Sequence, residues 1–351
     1  MALRLPLPVL PDPTTVPSLG WGIVGTSHAG TFARTVAQHT KQRIVAVTAR
    51  DKRKTEAFAQ KHGIQRVHAT VHELVDDSAV DAVYIATPHP LHREQALAAV
   101  AASKHVLIEK PIAMSAAEAA EITSAGAAAG VLVMEAMWTR YLPQADVIRR
   151  VLAEGIIGEV HNVTADFGFA APYDPMSRLW DPELGGGALL DAGIYPISFA
   201  SSVLGSPHQI IVDGNLGPGG VDARADLMLS SAGGRALIST SLVTQLPIVA
   251  TISGTEGGIT LGAPFFGATP LTVTRGVTWP PEKAVFVDER FAEHSDGLGL
   301  QATAFASYVG EGRIESPLHP HAEVIDIMHT IDVARAALTS KERSPHPRAN
   351  L

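Results

Sequence analysis

Gly22-Ile-Val-Gly25-Thr-Ser27-His-Ala-Gly30 lies where a short apolar run, Trp21 to Val24, gives way to a helical pattern. Gly25, Ser27 and Gly30 occupy the three places of a G-x-G-x-x-G turn, in which backbone N–H groups and a helix N-terminus face a pyrophosphate. Serine in the middle loosens the match, because that place lets backbone approach the phosphates. The Ser27 hydroxyl can answer with a hydrogen bond of its own. On this reading Gly25, Thr26, Ser27 and His28 bind a dinucleotide; a tight turn without a ligand is the plain alternative.

The flanking sequence decides between them. Ile44 to Val47, Val83 to Ala86, Val106 to Ile108 and Val131 to Met134 are further apolar, β-branched runs separated by helical patterns. Such runs suit strands buried on both faces of a parallel sheet. Ser115 with Glu118 reads as a capping box and Gly63 as a helix C-terminal glycine. Successive βα units with right-handed crossovers predict a doubly wound, Rossmann-type sheet over residues 20–137.

The second strand ends Thr48-Ala49-Arg50, where an NAD-binding fold would carry an acid for the ribose 2′-hydroxyl. Arginine there can pair with a 2′-phosphate, which favours NADP over NAD. Asp51 is the competing acid, and it is read as the N-cap of the following helix.

After Trp138 the pattern changes to a helix over Gln144 to Glu154 and alternating runs at Val160 to Phe169, Ile210 to Asp213, Ala223 to Ser230, Arg235 to Val243 and Ile248 to Ile252. Ser231-Ala-Gly-Gly234 reads as a hairpin connection, and Gly185 to Gly187 as a helix start. The fold class is therefore α/β: the doubly wound sheet plus a C-terminal α+β domain with a large, mostly antiparallel open sheet. Residues 1–19 read as an extended, proline-broken leader and residues 138–320 as a substrate-binding and oligomerisation domain. Residues 321–351 read as a C-terminal helix, patterned from Ala322 to Ala337, and a tail that pack back on the body, with Ser344 to Leu351 loose.

Composition narrows the function. With 351 residues, 46% of them hydrophobic, the chain is long enough for two packed domains. A net charge of −8 gives no electrostatic reason to bind nucleic acid or a membrane surface. The absence of cysteine excludes disulfides, thiolate metal sites and a cysteine nucleophile. No uninterrupted apolar stretch approaches about 18 residues, so a cytoplasmic protein is expected.

Ala86-Thr87-Pro88-His89, His92, and Lys104-His-Val-Leu-Ile-Glu109-Lys110-Pro111 resemble the Gfo/Idh/MocA oxidoreductases. Gly185-Gly-Gly-Ala-Leu-Leu-Asp191-Ala-Gly-Ile-Tyr195 extends the likeness into the second half. Met134-Glu135-Ala-Met-Trp138-Thr-Arg140-Tyr141, with tyrosine rather than histidine at Tyr195, looks most like the dimeric dihydrodiol dehydrogenase and glucose-fructose oxidoreductase branch. The resemblance implies an NAD(P)-dependent dehydrogenase or reductase acting on CH–OH groups. It implies Lys110, Tyr195 and Asp191 as catalytic residues and adds Thr87, Pro88, His89, His92, Glu109, Lys110, Trp138 and Arg140, with Arg50, to the cofactor site. Lys110, Trp138, Asp191 and Tyr195 would hold the substrate.

Chemically, alcohol oxidation needs a group to take the hydroxyl proton, and reduction needs the same group as an acid. Tyr195 can serve if a cation lowers its pKa from about 10, and Lys110 is the candidate cation or itself the proton donor. His89-x-x-His92 has metal-pair spacing but lacks a third ligand, so no metal is expected. Phe167, Phe169, Tyr173, Trp180 and Trp279 are read as core before pocket wall. No tyrosine has a lysine four residues later, which excludes the short-chain dehydrogenase pair. The substrate class expected is a small cyclic polyhydroxy compound, a sugar, anhydrosugar, inositol or dihydrodiol, or its ketone. The alternative is a nucleotide-sensing regulator on the same scaffold, which would have no need of Lys110, Asp191 and Tyr195 together. The open sheet face predicts a homodimer or larger homo-oligomer.

Overall fold

A computed structural model describes residues 3–276, 278–290 and 297–343. The first half builds six parallel strands, β1 (Gly20–Val24), β2 (Arg43–Thr48), β3 (Arg66–Val67), β4 (Ala82–Ile85), β5 (His105–Glu109) and β6 (Val133–Ala136), in the order β3-β2-β1-β4-β5-β6. The helices α1 (Ala29–His39), α2 (Lys52–His62), α3 (Val71–Asp76), α4 (His92–Ala101) and α5 (Ala116–Ala129) connect them. Strand order reverses between β1 and β4, and ligands of such sheets bind in the crevice at that reversal. The apolar runs form strands as expected, except that β6 starts two residues later than its run. The two-residue, exposed β3 carried no apolar signal.

Local punctuation follows the sequence closely. Asp51 caps α2 by accepting from the Lys54 N–H, and Gly63 ends it at φ 67°. Ser115 caps α5 through the Glu118 N–H, but the Glu118 carboxylate reaches the Met114 N–H instead of closing the box on Ser115.

Two cores sandwich this sheet. On one side Trp21, Phe32, Tyr84 and Phe305 pack ring on ring, Phe32 and Tyr84 stacking at 3.9 Å and Trp21 meeting Phe305 at 4.8 Å. On the other, Val83, Ile85, Val106 and Ile108 join a continuous apolar cluster that runs into the second half.

There α6 (Pro143–Ala153) leads to β7 (Val160–Gly168), and α7 (Ile194–Leu204) to β8 (Pro207–Leu216), β9 (Asp222–Ser231), β10 (Gly234–Ser241), β11 (Ala250–Gly254), β12 (Gly257–Leu261), β13 (Leu271–Arg275) and β14 (Glu282–Phe286). The eight strands run in the order β14-β13-β12-β11-β7-β10-β9-β8. The sheet is not a simple meander: β7 and β10 are parallel neighbours, and every other pairing is antiparallel. Strands β12 to β14 were not anticipated. α8 (Leu298–Gly310), which was not anticipated, returns to the first sheet and packs on α1, while α9 (His321–Arg343) packs against α5, α7 and β8.

Two further expectations shift. Pro182–Leu204 is long and apolar enough to cross a bilayer, and two-thirds of its apolar 18-residue window is buried inside the protein, as in a core helix. The leader is extended but docked: the Val9 N–H donates to Asp146 on α6 at 2.8 Å, and Ser18 Oγ donates to the Lys41 carbonyl at 2.6 Å. Ser344 to Leu351 lie outside the described residues.

Gly25 and Gly30, read as equivalent motif glycines, differ physically. Gly25 has φ +95°, and a Cβ there would meet the Ala86 carbonyl oxygen at 2.6 Å, whereas a Cβ on Gly30 would meet nothing nearer than 4.0 Å. Gly25→Ala should lose ~1–3 kcal/mol in urea unfolding. Gly30→Ala, in the first turn of α1, should be neutral or slightly stabilising; equal losses would contradict this geometry.

Candidate active site

The cleft opens at the carboxyl ends of β1, β4 and β5, with a volume of about 380 Å³. Its walls include Ser27, His28, Thr87, Pro88, His89, Glu109, Lys110, Trp138, Arg178 and Asp191. Thus the expected Ser27, His28, Thr87, Pro88, His89, Glu109, Lys110, Trp138 and Asp191 come together, from both halves of the chain.

Lys110 is the centre of the arrangement. Its Nζ donates to the main-chain carbonyl of Asp191 at 2.8 Å and lies 4.8 Å from the centroid of the Tyr195 ring. Asp191 sits in a π-helical turn, Leu189–Gly193, just ahead of α7. Burial works against the Lys110 charge, but Tyr195, Asp191 and Glu109 outweigh it and hold its pKa above the usual lysine value.

The Asp191 carboxylate is engaged by Arg178, whose Nη2 donates to Oδ1 at 2.8 Å. Burial would raise this carboxyl, yet Lys110 and Arg178 keep it below the usual range. Asp191 therefore orients the lysine through its backbone and Arg178 through its side chain. Glu109 accepts from the Tyr84 hydroxyl, and burial pushes its pKa up against the pull of Tyr84 and Lys110.

Tyr195 is half-buried beside the cleft, its ring 4.9 Å from Phe266 and 5.8 Å from Phe167. The Trp138 indole N–H reaches its hydroxyl oxygen at 3.4 Å. Because indole only donates, the phenol hydrogen stays free to point elsewhere. Lys110 favours the phenolate as expected, but burial outweighs it and the net pKa direction is upward. The phenol therefore stays protonated at neutral pH.

Three candidates stand elsewhere. His92 is fully buried behind the cleft with both ring nitrogens against carbonyl oxygens, so it does not form a metal pair with His89. Arg140 is turned away: Nη2 donates to the Ser198 carbonyl and to Glu323 at 2.8 and 2.7 Å, and the residue borders a separate cavity of about 510 Å³. Its motif neighbour Glu135 is a buried tether for Ile112 and His319. Arg50 is exposed just past β2, outside this cleft.

Arg178 and Leu298 were missed. Arg178 lies on an irregular loop after β7 that has no periodicity to reveal it, seated by Trp180, whose indole donates to the Pro172 carbonyl. Leu298 enters from α8, far along the chain. Among the aromatic residues, Trp180 is core, Phe167 packs on Tyr195, and Trp279 is 91% exposed.

Against this geometry, an oxidoreductase family with an NAD-binding Rossmann fold matches residues 19–137, and the GFO/IDH/MocA C-terminal domain matches residues 146–260. The chain belongs to the Gfo/Idh/MocA oxidoreductases. It is 34% identical to the trans-1,2-dihydrobenzene-1,2-diol dehydrogenase of Mus musculus over 92% of this chain and 97% of that one. A levoglucosan dehydrogenase in complex with NADH and levoglucosan superposes with a TM-score of 0.84 at 19% identity, covering 93% of this chain and 98% of the other. A 3-ketoreductase from Actinomadura kijaniata in complex with NADP and TDP-benzene does so with 0.78 at 23%, covering 91% and 98%. The protein is an NAD(P)-dependent dehydrogenase acting on hydroxyl groups.

The residues present fit such a cofactor. α1 starts at His28 with no side-chain cap and no acid in its first turn, which leaves its N–H groups for phosphate oxygens. His89 lines the cleft, and its Nδ1 is buried without a hydrogen-bond partner, close against Gly185. Burial, with His92 and Lys110 nearby, lowers the His89 pKa to about 3, so a neutral imidazole lines the site.

That depression has a consequence for stability. Between about pH 6.5 and 3 the unfolded chain protonates His89 and the folded one does not, so stability falls as pH falls through this window. His89→Gln should make the acid limb of the stability–pH curve shallower, by up to ~1.4 kcal/mol per pH unit in urea unfolding. An unchanged slope would contradict a neutral, buried His89.

Proposed function

We propose that the protein is an NADP-preferring oxidoreductase of a neutral cyclic compound carrying adjacent oxygens, such as a sugar, anhydrosugar, inositol or dihydrodiol, or the matching ketone. The observation that supports this reading is the convergence of Lys110, His89 and the Arg178–Asp191 pair on one cleft, with Tyr195 beside it against Lys110 and with His89 Nδ1 and Arg178 Nη1 both buried and unpartnered. These groups outnumber the oxygens of a simple alcohol. Each buried polar group left unpaired costs about 1–3 kcal/mol, so a substrate with one oxygen would bind poorly. The relatives' substrates, a dihydrodiol and an anhydrosugar, share this chemistry.

When bound, NAD(P) supplies the hydride-accepting and hydride-donating centre. Ser27, His28 and the α1 N-terminus would hold its phosphates, and Thr87, Pro88 and His89 its nicotinamide end. In the reducing direction the Tyr195 hydroxyl gives its proton to the substrate oxygen, and Lys110 and the Trp138 N–H stabilise the phenolate left behind; oxidation runs the same transfer backwards. Trp138 offers a flat wall to a ring. Arg178, held by Asp191, anchors a second substrate oxygen through Nη1.

NADP preference rests on Arg50 at the β2 tip and on Asp51, whose carboxylate is occupied in capping α2. In fluorescence titrations NADPH should bind about ten- to a hundredfold tighter than NADH, and Arg50→Ala should erase only that difference. Tighter NADH binding, or unchanged NADPH affinity in the variant, would overturn the assignment. A second copy is proposed to cover the open face of the larger sheet, where Ile211 and Leu237 are about half exposed.

The substrate reading is tested by kcat/KM across cyclohexanol, trans-cyclohexanediol, unphosphorylated sugars and sugar phosphates. Vicinal, uncharged compounds should lead, and Arg178→Ala should raise their KM about tenfold or more while leaving cyclohexanol nearly unaffected. Best activity on a mono-alcohol or a phosphate ester would refute it. Tyr195→Phe should lower kcat by about two orders of magnitude.

A further inference from the structure

His92 is the first residue of α4, and its ring is wholly buried beneath the cleft. Nε2 lies 2.9 Å from the Thr87 carbonyl oxygen and Nδ1 2.9 Å from the Pro111 carbonyl oxygen. Those carbonyls belong to two different loops. The first follows β4 and carries Thr87, Pro88 and His89 into the cleft; the second follows β5 and carries Lys110. One imidazole thus bridges the cofactor-facing loop and the loop of the central ammonium.

The β5 loop has a second tether. The Ile112 N–H donates to Glu135 Oε1 at 2.8 Å, and Glu135 Oε2 faces His319 Nε2 at 2.7 Å. The two residues after Lys110 are therefore each fixed by a buried side chain, one from α4 and one from β6. A lysine side chain is long and rich in rotamers, so an anchored root narrows where its Nζ can sit. Around His92 the facing titratable groups are Glu135 and the His89 ring, whose centroid is 5.6 Å away edge-on. A neutral imidazole donates to one carbonyl at a time and an imidazolium to both, while the ring width sets the loop spacing in either state.

We infer that His92 is a positioning residue for Lys110: by bridging the Thr87 and Pro111 carbonyls it fixes the spacing of the two cleft loops and the seat of the ammonium against the Asp191 carbonyl. The inference rests on the reading of Lys110 as a catalytic residue. Phenylalanine at this position would keep the ring's bulk and remove both ring nitrogens, and glutamine would keep a donor near the Nε2 place.

The test is a double-mutant cycle with His92→Phe, His92→Gln, Lys110→Ala and the combined variants, read as kcat at saturating cofactor on the best substrate of the panel above, with thermal unfolding as a control. His92→Phe should lower kcat about ten- to a hundredfold, the scale of an ångström-sized misplacement. In the Lys110→Ala background it should change kcat by no more than about threefold, because residues acting through one group are not additive. His92→Gln should fall between wild type and His92→Phe. If His92→Phe does not fold, the glutamine cycle gives the same reading. Losses that multiply across the two sites, or wild-type kcat in both His92 variants, overturn the inference. Wild-type kcat in Lys110→Ala alone overturns the catalytic reading of Lys110 beneath it.

Discussion

A single hydrogen bond joins the chemistry of the two halves: the Lys110 ammonium, rooted at the end of β5, donates to the Asp191 carbonyl at the head of α7. Each side exists for a local reason. β5 is buried on its inner residues and delivers Lys110 to the sheet's carboxyl edge. The π-helical turn Leu189–Gly193 places the Asp191 carbonyl at the head of α7. A buried ammonium is costly unless its surroundings are anionic or polar. Asp191, Glu109 and the face of Tyr195 provide that surrounding, and Arg178 completes it by pairing with Asp191.

The chemistry follows from this seat. A fixed positive charge lies beside a phenol that burial keeps protonated, and that charge favours the phenolate which loss of the proton would leave. Burial, with Lys110 and Arg178 adding to it, lowers the pKa of His28 and of His89, so the cleft holds neutral imidazoles beside its two cations.

Much of the fold was legible because its signals are local. Trp21 to Val24 and Val106 to Ile108 are apolar on both faces, and Asp51, Gly63 and Ser115 punctuate helices by side-chain geometry that depends on a few neighbouring residues. Lys110, Asp191 and Tyr195 were found through motif order, which the structure brings together in space. What escaped notice depends on long-range packing. Arg178 reaches the cleft from an irregular loop, and Leu298 from a helix that recrosses to the first sheet. Val160 to Phe169 alternates like any strand, and nothing in it tells that its neighbour β10 runs parallel. His92 and Arg140 were placed in the site by motif proximity alone. A histidine three residues from His89 can point into the cleft or beneath it, and only the turn into α4 decides.

The most direct test of this account is the titration of the Lys110 side chain, followed by NMR of lysines labelled at the ε-carbon and ζ-nitrogen, with Lys110→Ala assigning the signal. The account predicts an ammonium that persists through neutral pH and titrates above the ordinary lysine value. A Lys110 that loses its proton near neutrality would make it an amine base rather than a fixed charge, and would contradict the account.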